Sequence, residues 1–94
     1  MIRSFRDKET EALYRGRFVA RFQSIQRVAW RKLDMMDAAA LLSDLAAPPS
    51  NRLEPLRGDR EGQHSIRIND QYRICFEWLE DGPHNVEIVD YHRG

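Results

Sequence analysis

The stretch RINDQYRICF, residues 67–76, carries the pattern that decides the fold. Apolar and polar residues alternate on both sides of a short polar segment, which is typical of two antiparallel strands joined by a tight loop. A three-residue loop, 69–71, places Ile66 opposite Ile74 on a shared apolar face, whereas a two-residue loop would oppose apolar to charged residues. The sequence therefore predicts a hairpin with the three-residue loop.

This register places Arg67 opposite Arg73 on the other face of the hairpin. Like charges directly opposite each other cost roughly 0.2–1 kcal/mol, so a compensating group is expected. Nearby carboxylates are one possibility, and the candidates are Glu61, Asp70, Glu77 and Asp90. The other possibility is a bound phosphate, which guanidinium groups bind through two parallel hydrogen bonds. Arg57 and Arg60, in a glycine-punctuated loop over 55–62, would add positive charge nearby.

The N-terminal half shows helical periodicity. Three helices are predicted, and they cover about 7–14, 24–36 and 37–45. Asp7 is placed to cap the first helix and Gly16 to stop it. In the second, apolar residues recur at steps of three and four. The third would begin at an N-cap, Asp37, and end before Pro48.

Short segments at both ends of the chain complete the predicted sheet. Residues 1–5 are half apolar and are predicted as an edge strand, 80–83 as a turn and 85–91 as a third strand. The fold class is therefore α+β, with two to three N-terminal helices packed on a small, mostly antiparallel sheet. We expect a single domain over 1–94.

Charge is unevenly distributed, although the formal net charge is zero. Residues 1–34 hold nine Lys/Arg against four Asp/Glu, and residues 75–94 hold one arginine against five acids. Arg27, Arg31 and Lys32 fall off the apolar stripe of the second helix and are predicted to face water. They would serve either to bind a polyanion or to keep the protein soluble.

Composition excludes several classes of protein. Cys75 is the only cysteine, so no disulfide framework is expected, and it is interpreted as a small packed residue. No apolar stretch has the length of a membrane span and the N-terminus lacks a signal-peptide core, which predicts a cytoplasmic protein with no membrane partner. No metal or cofactor is predicted, since neither metal-ligand spacing nor a glycine-rich nucleotide motif is found.

The tail VDYH, residues 89–92, is a second group of chemically active side chains. Asp90 and His92 supply groups that exchange protons, and Tyr91 supplies a phenol or a stacking surface. With the arginines, these are the parts needed to cleave RNA without a metal ion, whereas the motif by itself is also typical of a C-terminal segment that merely covers the core edge. His64 is interpreted as a core-edge residue and His84 as a solvated one.

Three blocks of the chain resemble HigB toxins of bacterial toxin–antitoxin systems, in particular the GraT-like subgroup. The blocks are MIRSF (1–5), LRGDREGQHSIRINDQYRICF (56–76) and VEIVDYH (86–92). The resemblance implies a RelE-like fold and ribosome-dependent cleavage of messenger RNA in the aminoacyl site. It also implies a HigA-like helix-turn-helix antitoxin as partner, in a complex that binds operator DNA through the antitoxin.

The resemblance also assigns roles to individual residues. Arg73 matches the family arginine expected to hold the scissile phosphate, and the catalytic group at the tail is Asp90, Tyr91 and His92. Some relatives have a histidine at Glu54 and an arginine at Asn69, and we expect Arg67 to substitute for that arginine. The predicted RNA-binding residues are Arg57, Arg60, Asn69, Arg27, Arg31 and Lys32.

Two other functions fit the same sequence. Related small toxins of the ParE type inhibit DNA gyrase without cutting RNA, in which case the tail would be structural and the basic helices would form the binding face. A weakened toxin kept chiefly as the partner of its antitoxin is the other alternative, with the basic half as the docking surface.

Overall fold

The computed structural model describes residues 1–91 and has an α+β architecture, as predicted. The two α-helices are α1 (Lys8–Tyr14) and α2 (Gln26–Ala38). The four strands are β1 (Glu54–Pro55), β2 (His64–Arg67), β3 (Tyr72–Leu79) and β4 (Gly82–Asp90). They form one antiparallel sheet in the order β1-β2-β3-β4. Short 3-10 turns cover Ala20–Phe22, Leu42–Leu45, Pro49–Asn51 and Gly58–Arg60.

The first helix begins and ends where its sequence predicts. Asp7 Oδ2 accepts a 3.0 Å hydrogen bond from the backbone N–H of Thr10, which satisfies one of the free donors of the first turn. Gly16, just beyond the helix, has φ +84°, a conformation that costs little without a side chain. Local chemistry therefore sets both ends of α1.

The hydrophobic core lies between the helices and one face of the sheet, the inner face. The apolar stripe of the second predicted helix is buried as expected, and its core members are Phe22, Ile25, Ala29, Leu33 and Met36. They belong to the same core as Ile66, Ile74, Val86 and Ile88 of the sheet. The opposite, outer face carries Ser65, Arg67, Arg73 and Cys75.

The predicted third helix is wrong. The second helix continues through Asp37 to Ala38, and Asp37 Oδ1 accepts a hydrogen bond from Ile2 N at 2.7 Å instead of capping a new helix. The chain then turns extended at Ala39, and only a 3-10 turn follows over Leu42–Leu45. Asp44 stabilises that short turn, because its Oδ2 accepts hydrogen bonds from the backbone N–H groups of Ala40 and Leu41, each at 2.9 Å.

Two predictions on the sheet edges also need correction. Residues 1–5 lie beside β4 without forming a full strand: Arg3 N donates to Pro83 O at 2.9 Å and Val86 N donates to Ser4 O at 3.0 Å, but the segment has only one isolated parallel bridge, from Phe5 to Val86. The last strand begins at Gly82, earlier than predicted, because a two-residue turn over 80–81 pairs Leu79 with Gly82.

The histidine predictions have different outcomes. His64 is half-buried at the core edge as expected, with its ring stacked 6.2 Å from Phe76. His84 is only partly solvated, since its side chain is 24% exposed and its Nε2 lies 2.6 Å from Asp81 Oδ1. No helix within residues 1–91 is long and apolar enough to cross a membrane.

The predicted hairpin register is confirmed. Ile66 pairs with Ile74 and Arg67 with Arg73, and Ile68 N donates to Tyr72 O at 3.0 Å across the loop. Alternation then places both arginines on the outer face, where the site described next is found.

Candidate active site

An open cavity of about 360 Å³ lies at one end of the outer face. Its lining residues are Arg52, Glu54, Arg67, Asn69, Asp70, Arg73 and Tyr91. They come from β1 and the residues before it, from the β2–β3 hairpin and from the end of β4. With three arginines against two carboxylates, the lining favours an anionic ligand.

Arg73 lies at the centre of this cavity and is held by hydrogen bonds at both ends of its guanidinium. Its Nε donates to Ser65 Oγ at 2.7 Å, and its Nη2 donates to the Arg52 carbonyl at 2.8 Å. Nη2 also lies 3.5 Å from Glu54 Oε1. The Arg73 side chain is only 13% exposed, whereas that of Glu54 is 51% exposed. The cation is therefore fixed, and its counter-ion is in contact with water.

Arg67 has a separate counter-ion. Its Nη2 contacts Oδ1 of Asp70, whose side chain is completely exposed. Asp70 was one of the carboxylates predicted to compensate the arginine pair, whereas Glu54 was not. Exposed ion pairs of this kind contribute about 0–1 kcal/mol. A phosphate that binds two guanidiniums can therefore displace both carboxylates at low cost.

Asn69 organises the hairpin loop. Its Oδ1 accepts hydrogen bonds from Gln71 N at 2.8 Å and from Tyr72 N at 2.7 Å. This is an Asx-type turn, in which a side chain replaces a backbone acceptor. Asn69 lines the cavity as predicted for an RNA-binding residue, but its carbonyl oxygen is already engaged by the loop.

Tyr91 is the only tail residue among those that line the cavity, within the part of the chain that the structure describes. Burial is the main cause of its raised pKa, and the nearby Cys75 also raises it. The phenol is therefore protonated at neutral pH, when it can donate a hydrogen bond or stack on a base. Cys75 is itself fully buried, as predicted for a packed residue.

The other two tail residues are placed differently. Asp90 pairs with Tyr72, which packs on Phe22, so its register position belongs to the inner face. Asp90 Oδ2 accepts a hydrogen bond from Gln71 Nε2 at 3.1 Å. His92 lies outside the described residues, and its predicted role stays a prediction.

Lys32 does not face water, contrary to the prediction. It is 4% exposed, and its Nζ donates to the carbonyl of Arg67 at 2.7 Å. Its pKa is lowered, chiefly by burial and then by the charges of Arg31, Arg67 and Arg73. The lysine thus supports the end of β2 from the inner side. Arg27 and Arg31 are exposed on α2, as predicted.

The basic loop residues Arg57 and Arg60 are not among the residues that line the cavity, although the charge of Arg60 is close enough to Tyr91 to offset part of the rise in its pKa that burial causes. Arg57 is exposed, and Arg60 is engaged by Glu87 Oε1 and Gln63 Oε1, each at 3.1 Å from its Nη1. Within residues 1–91, no group of three or more His, Cys, Asp or Glu side chains is arranged to hold a metal ion.

Sequence reasoning missed two residues of the site, Arg52 and Ser65. Ser65 could have been found, because the hairpin register places it next to Arg67 on the outer face and opposite Cys75. Arg52 gave no such signal, since its carbonyl meets Arg73 only after β1 pairs with β2.

Solved structures with the same architecture define the fold. A YafQ mutant from E. coli matches with a TM-score of 0.66 at 10% identity, over 97% of this chain and 92% of that one. The YoeB–YefM complex from Staphylococcus aureus matches with a TM-score of 0.56 at 16% identity, over 99% of both chains. The fold is therefore the RelE-like fold predicted from the sequence.

Sequence comparison narrows the class to a family. The family model of the RelE-like toxin of type II toxin–antitoxin system HigB matches residues 3–92. Toxin HigB-1 of Vibrio cholerae is 43% identical over 97 residues, which cover 99% of each chain. Endoribonuclease HigB of Proteus vulgaris is 31% identical over 94 residues, 98% of this chain and all of the relative. The chain belongs to the HigB family of RelE-like toxins of type II toxin–antitoxin systems.

Proposed function

We propose that this toxin is an endoribonuclease that cuts messenger RNA in the aminoacyl site of the ribosome and so inhibits translation and growth. One observation carries the proposal: Arg67 and Arg73 meet in an open cavity that Tyr91 also lines. The name of the Proteus vulgaris relative, an endoribonuclease, supports the same reaction class.

The proposed reaction is an intramolecular transesterification of the RNA phosphodiester. The ribose 2′-oxygen loses its proton to a general base and forms a bond to the adjacent phosphorus, while the bond from phosphorus to the 5′-oxygen breaks. A general acid gives that leaving oxygen its proton, and the product ends in a 2′,3′-cyclic phosphate. Negative charge accumulates on the phosphorane oxygens, where fixed guanidinium donors lower the barrier.

The arginines are the proposed phosphate ligands. Arg73 supplies the more strongly fixed guanidinium. Arg67, its cross-strand partner on β2, supplies a second cation on the same face of the sheet. Two guanidiniums can contact different oxygens of one phosphate, which matches the way charge spreads in the transition state. The same contact would relieve the like-charge repulsion of the pair.

Proton transfer is assigned to His92, and the second proton-transfer group is left open, because the register position of Asp90 lies on the inner face, opposite the cavity. Tyr91 is not the base, because its pKa is raised above the ordinary value of 10.0 for a phenol, chiefly by burial. We propose that its ring stacks on the nucleotide next to the cleaved bond.

Two macromolecular partners follow from this proposal. The ribosome would be contacted through exposed arginines of α2, Arg27 and Arg31, and of the loop, Arg57. A HigA-like helix-turn-helix antitoxin would bind the toxin, and their complex would bind operator DNA through the antitoxin. Charge contacts to ribosomal RNA predict ribosome binding that weakens steeply with salt.

Primer extension on cellular messages tests the proposed reaction. Wild-type toxin should produce discrete cuts within codons, and Arg73→Ala and His92→Ala should abolish them. Arg3→Ala is the matched control, since Arg3 lies beside Asp81 at the other end of the sheet, and it should cut normally. Intact messages together with DNA breaks would overturn the nuclease and favour a gyrase inhibitor. Growth arrest with neither cut messages nor DNA breaks would also contradict the nuclease proposal.

A further inference from the structure

A buried hydroxyl lies beneath the guanidinium of Arg73. Ser65 is fully buried, and its Oγ accepts the 2.7 Å hydrogen bond from Arg73 Nε. Ser65 pairs with Glu54 of β1 and with Cys75 of β3, so strands on both sides fix its position. Because Nε is the donor closest to the side-chain stem, this bond restricts rotation of the guanidinium plane.

A backbone carbonyl holds the far end of the same guanidinium. Arg52 has a left-handed conformation with φ 45°, and this places its carbonyl 2.8 Å from Arg73 Nη2. A non-glycine residue rarely adopts this conformation unless its surroundings hold it there. The preceding residue, Asn51, is fully buried, and its Nδ2 donates a hydrogen bond to the Leu45 carbonyl at 3.0 Å. This bond fixes the backbone that leads into Arg52.

We infer that Ser65 is a positioning residue that sets the angle at which Arg73 meets the RNA phosphate. The inference rests on the proposed function. The bonds to Ser65 Oγ and the Arg52 carbonyl, with a longer bond of 3.4 Å from Nη2 to the Ser65 carbonyl, engage Nε and Nη2 and leave the Nη1 donors for phosphate oxygens. Without the hydroxyl the positive charge of Arg73 remains, but its orientation for two parallel bonds is lost.

Cleavage kinetics on ribosome-bound message test this role. Ser65→Ala should lower kcat by about tenfold to 100-fold and change KM little, because misorientation affects the transition state more than charge-driven binding. Ser65→Thr, which keeps the hydroxyl, should restore most of the rate. In an Arg73→Lys background, Ser65→Ala should change the rate less than about twofold, since the lysine has no Nε donor to orient.

A second buried hydroxyl provides the matched control for stability. Thr10 is also fully buried, and its Oγ1 accepts from Ile88 N at 3.0 Å, away from the cavity. Thr10→Val should lower the melting temperature without slowing cleavage. An equal loss of rate from Ser65→Ala in both backgrounds would overturn the inference and indicate a general structural effect. A normal rate for Ser65→Ala would overturn it as well.

An NMR measurement separates this inference from the proposed function. The Arg73 Nε–H should exchange slowly with water in the wild-type toxin and rapidly in Ser65→Ala, whether or not any RNA is cut. If the wild-type toxin cuts no message, the nuclease proposal fails, while a protected Nε–H that is lost in Ser65→Ala still supports orientation by Ser65. Rapid exchange in the wild-type toxin would overturn the positioning role.

Discussion

Arg67 and Arg73 lie directly opposite each other across β2 and β3, and each contacts a different carboxylate, Asp70 and Glu54 respectively. Both carboxylates are more exposed than the arginines they contact. The pair is thus electrostatically balanced without RNA, and its counter-ions can move into water when a phosphate enters. This arrangement gives the first prediction.

Glu54→Gln should tighten binding of a short RNA by about twofold to fivefold, because it removes a carboxylate that competes with phosphate for Arg73. The free energy of unfolding should change by less than about 1 kcal/mol, because the Glu54 side chain is half exposed and ion pairs of exposed groups contribute little. Glu80→Gln makes the same charge change at an exposed position outside the cavity lining and should leave affinity unchanged. Fluorescence anisotropy measures both variants, and equal affinities would contradict competition by Glu54.

Tyr91 should act through its ring. Tyr91→Phe is expected to keep most of the cleavage rate with the same pH profile through neutral and mildly alkaline pH, because the raised pKa of the phenol keeps it protonated there. Tyr91→Ala should lower the cleavage rate roughly 5- to 150-fold, which corresponds to the loss of one base–aromatic stack. Single-turnover cleavage across pH distinguishes the two variants. A loss for Tyr91→Phe as large as that for Tyr91→Ala would instead assign the chemistry to the phenol oxygen.

Asn69→Ala should lower the free energy of unfolding by about 1 kcal/mol, because two backbone donors of the loop lose their acceptor. Asn69→Asp keeps an acceptor oxygen and should retain stability, while its negative charge weakens RNA binding. Urea denaturation together with an RNA-binding assay separates the two effects. Unchanged stability in Asn69→Ala would show that the Asx turn does not hold the loop.

Lys32 should make stability depend on pH in the alkaline range. Its pKa in the folded protein is below the ordinary value of 10.5, chiefly because of burial. Between these two pKa values the unfolded chain binds more protons than the folded one, so the contribution of Lys32 to stability rises with pH across that window.

Urea denaturation of wild type and Lys32→Met, from neutral pH to about pH 10, measures this contribution. The difference between wild type and variant in free energy of unfolding should shift in favour of the wild type as pH rises. Lys8→Met, at an exposed position on α1, controls for the loss of one positive charge. If the free energies of unfolding of wild type and Lys32→Met change in parallel with pH, the predicted contribution of Lys32 is contradicted.

The hairpin and the first helix could be predicted because their information is local. Alternation on both sides of 69–71 allows one register that buries Ile66 with Ile74, and a slip by one residue would expose the whole apolar face. The capping of α1 by Asp7 likewise depends on residues within a single turn.

The third helix was mispredicted because its apparent N-cap had a better partner elsewhere. Asp37 bonds to Ile2, 35 residues away in sequence, which no local pattern reveals. Lys32 was misjudged for a similar reason: a lysine at the edge of an apolar stripe normally extends into water, but here the Arg67 carbonyl is within its reach.

The alternation along the chain was sufficient to place Arg67 and Arg73 on one face and to predict an α+β fold, and the resemblance to HigB toxins implied the RelE-like fold. It could not tell what surrounds their guanidiniums. Pairing of β1 with β2 brings Glu54 beside Ser65, and the left-handed backbone at Arg52 aims a carbonyl at Arg73. These contacts join residues that are 11 and 21 positions apart in sequence, so they form only when β1 has joined the sheet.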